Sequence, residues 1–229
     1  MAALRVSTTA RLALMLALVV GAGACSSARQ TPEMTRLQAR AAFERGVKFL
    51  NDREASQALV ALREATSLDP QSALYRDTLG VVLMQLQRPD LALDEFKQAV
   101  SLDSRYADGQ FHLGVALAEL TRWSDAAAAY RKAIALPTLT VPDLAHQNLG
   151  LALYHLRQYS QAEQELRFAI GLTPDLQAAY HHLGLVLLAQ RRFEEARIAF
   201  TRARDLGPTT AFGQAAIERL GALDSGPRR

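Results

Sequence analysis

A glycine returns at a near-constant interval along this chain. Gly46, Gly80, Gly114, Gly150 and Gly184 are separated by 34, 34, 36 and 34 residues. Twelve residues after each glycine stands an alanine: Ala58, Ala92, Ala126, Ala162 and Ala196. Four further on is a bulky apolar residue, Leu62, Phe96, Tyr130, Leu166 or Phe200, and three beyond that a second alanine, from Ala65 to Ala203. Four columns in step over five units define a structural repeat. A repeat of this length is one supersecondary unit that cannot bury its own apolar face, so neighbouring units must stack.

Each unit reads as two antiparallel helices. Ala and Leu, both good helix formers, dominate, and Val and Ile do not alternate as strands require. The glycine and alanine columns let two helix axes come close, and the bulky column fills the space between pairs. Pro70, Pro174 and Pro208 stand near unit ends, where a missing N–H and a clash with the preceding turn stop a helix.

The columns resemble the tetratricopeptide repeat, which carries Leu-Gly in its first helix, two alanines in its second and a late proline. Leu79-Gly80, Leu113-Gly114, Leu149-Gly150 and Leu183-Gly184 match; Arg45, Ser104 and Thr138 depart from the pattern. The resemblance covers about residues 39 to 210. It implies an all-α, right-handed superhelical solenoid of about five helix pairs within residues 32–210. Residues 211–229 are expected to supply a C-terminal capping helix, with Phe212, Ala216, Ile217 and Leu220 on one face, and a frayed tail. Trp123, Tyr159 and Phe193 share one position of the repeat and are expected to pack.

Ahead of the repeats, Arg5 and Arg11 precede an unbroken apolar run, Leu12 to Val20. The run is short for a bilayer span, which takes about 20 residues, and has the length of a signal-peptide core. Gly21-Ala22-Gly23-Ala24-Cys25 follows and resembles the lipobox of bacterial lipoproteins, with Ala22 where leucine is usual. That resemblance implies removal of residues 1–24, acylation of Cys25 (palmitate among the acyl groups), a tether over 25–31, and placement by Ser26 at the periplasmic face of the outer membrane. One acyl chain anchors marginally and two or more anchor stably. Thr31-Pro32-Glu33 looks like a helix start. The 36-residue step places two prolines and two threonines between Leu136 and Asp143. That segment is expected to protrude or alter the superhelical pitch, as a tolerated insertion or as a contact or hinge.

In the resembled fold, residues of each first helix line a concave groove. The candidates for partner contact are Phe43, Val47, Leu50, Met84, Phe111, Tyr154, His155, His181 and Leu188, so the groove is mostly apolar. It lacks the Lys, Arg and Asn set with which some repeats clamp a terminal carboxylate. An apolar or amphipathic protein segment is the expected partner.

Other chemistry finds little support. Removing Arg5 and Arg11 from the 26 Lys and Arg leaves 24 against 23 Asp and Glu, and no basic cluster marks nucleic-acid binding. One cysteine excludes an internal disulfide and a CxxC zinc site. His181 and His182 diverge by about 100° on a helix and cannot aim at one ion. No catalytic motif occurs, so no enzyme, cofactor, metal or small-molecule substrate is expected. Lipobox, short tether and repeat count resemble the pilotin-type lipoproteins of type IV pilus systems. That implies a scaffold that binds a secretin subunit and assists its assembly or stability. The same features would serve a periplasmic adaptor tethering cell-wall hydrolases or proteases, or a subunit of an outer-membrane protein assembly complex.

Overall fold

A computed structural model describes residues 31–225. Cys25, the expected signal segment, the tether up to residue 30 and the last four residues lie outside the described residues. Eleven helices and no strand are found among the described residues. They run as five antiparallel pairs: α1 (Pro32–Asn51) with α2 (Ala55–Leu68), α3 (Ala73–Gln85) with α4 (Pro89–Leu102), α5 (Ala107–Glu119) with α6 (Trp123–Ile134), α7 (Pro142–His155) with α8 (Tyr159–Leu172), and α9 (Gln177–Ala189) with α10 (Phe193–Leu206). A final helix, α11 (Ala211–Ser225), packs on α10 and α9. Each pair also packs on the next, as expected of a solenoid. Among the described residues no helix is long and apolar enough to cross a membrane.

The small-residue columns explain the pairing. A Cβ on Gly80 would stand 2.5 Å from Phe96 Cε1, and one on Gly114 would stand 2.5 Å from Tyr130 Cε1. Gly46, Gly150 and Gly184 meet Leu62, Leu166 and Phe200 in the same way. Ala58, Ala92, Ala126, Ala162 and Ala196 have no exposed surface at all. Each large side chain of an even helix therefore sits in a notch that exists only because the odd helix carries hydrogen there.

A further column marks the turn inside each pair. Arg53, Gln87, Thr121, Arg157 and Arg191 all have φ near +60°. The N–H after each reaches back to close the odd helix, as in Arg88 N–H to Leu83 O at 2.9 Å and Arg122 N–H to Leu117 O at 2.8 Å. This is the Schellman closure, usually completed by glycine. A side chain there costs about 1–2 kcal/mol, and a β-branched one is the most strained. Thr121→Gly is therefore expected to raise stability by about 1 kcal/mol, more than Gln87→Gly, as read from urea midpoints.

The segment after Leu136 is tied back to α5: the Thr140 backbone N–H and hydroxyl both donate to the Asp108 carboxylate, at 3.0 and 2.9 Å. Leu139 and Val141 turn onto the core, while Pro137, Thr138, Thr140 and Pro142 are exposed. In α11, Ile217 is 40% exposed, not packed. The contact centres instead on Gly213 and Ala216, with Leu220 and Leu223 behind them. A Cβ at Gly213 would lie 1.9 Å from the Gly207 carbonyl oxygen. That close approach sets the rotation of the helix and turns Ile217 outward.

Candidate functional site

The odd helices present one face in common, and its columns grade from buried to exposed. Three residues before each repeat glycine stand Phe43, Asp77, Phe111, Gln147 and His181, and the last four are buried. One residue after it are Val47, Val81, Val115, Leu151 and Leu185; four after it are Leu50, Met84, Ala118, Tyr154 and Leu188; all ten are half-buried. Five after it, Asn51, Gln85, Glu119, His155 and Ala189 are exposed. These spacings fall on one helical face, so the result is an apolar strip with a polar edge.

Seven of the nine candidate contact residues keep accessible surface; two do not. Phe111 is 8% exposed and His181 is 9% exposed, and neither lines an open surface. Their own helix pair, and for His181 also α11, covers them: Phe111 lies 5.9 Å from the Tyr130 ring, and His181 lies 5.8 Å from Phe200 and 5.5 Å from Phe212 of α11. Phe43 is half-buried because it stacks on Tyr75 at 4.6 Å. His155 stacks flat on Trp123 at 3.9 Å, and the water lost from its ring lowers its pKa. Trp123 and Tyr159 are half-buried, whereas Phe193 at the same repeat position is 52% exposed.

The strip is hollowed between α5 and α7. A cavity of about 330 Å³ there is lined by Val115, Ala118, Trp123 and Leu151, with Tyr130 at its base and Glu119 at its mouth. A smaller cavity of about 180 Å³ lies against Met84, Gln87 and Pro89 on the other side of Glu119.

A buried polar cluster beneath this face was not anticipated. The Asp77 carboxylate, only 3% exposed, accepts from the Tyr106 hydroxyl at 2.9 Å and faces His112 Nδ1 at 2.9 Å. Burial beside that carboxylate pushes the Tyr106 phenol far above its usual range. An acid in an otherwise apolar column was the available signal, since a buried carboxylate must find donors. His181 and His182 are both buried, with ring centroids 5.6 Å apart, and neither Nδ1 has a partner among the described residues. Among the described residues no group of three or more His, Cys, Asp or Glu is gathered to hold a metal ion.

Comparison with known proteins agrees with this architecture. The sequence profile described as tetratricopeptide repeat matches residues 78–138 and 148–211. No curated protein sequence matches the chain. Among solved structures, PilF of Pseudomonas aeruginosa is 27% identical, covering 82% of this chain and 86% of its own, with a TM-score of 0.70. PilW, described as a widely conserved type IV pilus biogenesis factor, is 21% identical, covering 80% and 86%, with a TM-score of 0.71. YrrB, described as having an unusual peptide-binding site, is 19% identical, covering 77% and 90%, with a TM-score of 0.64. The last two likenesses concern the fold.

Proposed function

Because the chain belongs to the tetratricopeptide-repeat family, a family of protein-binding scaffolds, we propose that it is a lipid-anchored outer-membrane scaffold whose apolar strip holds a segment of a secretin subunit of the type IV pilus. The observation that carries the reading is the strip itself. Two half-buried columns, uninterrupted over five repeats, leave apolar surface on a face that no other described element covers, and such surface marks a binding site. The fold shared with PilW and the identity with PilF support the pilus assignment. An acylated Cys25 would hold the strip at the inner leaflet of the outer membrane, where a secretin subunit passes before its ring closes.

The reading is tested by deleting the gene and running membranes on a gel without boiling. Loss of secretin multimers is expected; an unchanged multimer band would rule the role out. Tyr154→Asp with Leu188→Asp is expected to reproduce the deletion. Both side chains are half-buried, so far-UV circular dichroism should show the helices retained while a charged group occupies the strip.

A further inference from the structure

We propose that the segment held on this strip carries a lysine or arginine between two large apolar residues, with its cation on Glu119. The proposal rests on the groove reading above and adds the chemistry of the occupant.

Glu119 borders both cavities of the strip. Their volumes, about 330 and 180 Å³, lie at or below the low end of small-molecule pockets, about 300–1,000 Å³. Each suits a single large side chain rather than a cofactor. Neighbouring helices stand about 8–10 Å apart, and an extended chain advances about 3.3 Å per residue. Alternate residues of such a chain share a face, so two side chains about four residues apart, roughly 13 Å, reach the cavities on either side of α5, and the residue midway between them faces Glu119.

The carboxylate is unspent. Asp77 is held by Tyr106 and His112, Asp108 by Thr140, and Asp125 by Arg122. Glu119 makes no ion pair with a described residue, and the other members of its column are Asn51, Gln85, His155 and Ala189. It is also the last residue of α5. The negative end of the helix dipole lies there, where an acid is unfavourable for the fold and a cation favourable. A group placed against local stability, between an apolar cavity and a smaller one of mixed lining, is accounted for by a partner's positive charge. The field of Glu119 reaches the cavity floor, where it reinforces the upward shift that burial imposes on Tyr130.

The test uses the full-length chain, whose single tryptophan, Trp123, lines the larger cavity and reports its occupancy by fluorescence. The probe is a capped Ser/Gly peptide carrying leucine and phenylalanine about four residues apart, with lysine midway between them. Two sister peptides carry methionine or glutamate in place of the lysine. The lysine peptide should shift Trp123 emission and bind about fivefold more tightly than the methionine peptide. It should exceed the glutamate peptide by about tenfold or more, with the preference shrinking in molar salt. Glu119→Lys should invert the order of the lysine and glutamate peptides. Equal binding of all three peptides overturns the proposal and leaves the groove reading standing. A Trp123 signal that answers to none of them overturns the proposal too, while the groove reading is judged separately by the unboiled gel.

Discussion

Phe96→Ala should lower stability by about 3–5 kcal/mol, and Gly80→Ala by about 1–3 kcal/mol, but the two together should cost no more than Phe96→Ala alone. Phe96 is 1% exposed and fills the notch over Gly80, so its removal leaves a cavity in the middle of the array. In the single glycine variant the new methyl would stand 2.5 Å from the ring, and a ring so enclosed cannot swing aside. In the double variant the ring is gone. The methyl then occupies part of the void, and the helix gains the propensity of alanine over glycine, about 1 kcal/mol. A double-mutant cycle from urea unfolding followed by circular dichroism measures the coupling. Hydrogen exchange would show whether the loss stays with the second and third repeats, as nearest-neighbour stability in a solenoid requires. Strictly additive costs would mean that Gly80 and Phe96 do not share the contact on which helix pairing is argued.

That contact was legible because it repeats. Gly80, Ala92, Phe96 and Ala99 recur in phase in every unit, and periodicity exposes features that each unit needs equally. What occurs once is hidden. Asp77 and His112 are 35 positions apart and belong to different units, so no period links them. The turn column from Arg53 to Arg191 does repeat, but it lacks glycine, the residue that ordinarily announces a left-handed turn. Phe111 and His181 were placed on the open strip because they share a helical face with Val115 and Leu185. Helix periodicity gives a direction, however, and not the depth to which the partner helix and, for His181, α11 cover it. The extra residues before Pro142 were legible as an insertion, while their anchorage depends on Asp108 one repeat away. Ile217 was misplaced because α11 is not a repeat and its rotation follows from one close approach at Gly213.

That approach gives the second large effect. Gly213→Ala should cost about 3 kcal/mol, the upper end for overpacking, because the obstacle is the Gly207 carbonyl and the Pro208 backbone, which cannot change rotamer. The helix should loosen from α9 and α10 before the repeats give way. The cleaner signature is in the pH dependence. Phe212 lies 5.5 Å from both His181 and His182, and burial lowers the pKa of each. His182 is pushed down to about 3, by burial first and then by His181 and His155. Between its unfolded value near 6.5 and that folded value, the unfolded chain binds the proton and the folded chain does not, so stability falls as pH falls. From pH 7 to 5, above the range where carboxylates titrate, the native chain should lose about 2 kcal/mol through His182 alone. In Gly213→Ala the pair is no longer sealed, its pKa values return toward 6.5, and unfolding midpoints at the two pH values should draw together. An undiminished slope in the variant would show that α9 and α10 keep the histidines dry on their own, and that α11 is an appendage rather than the lid of the array.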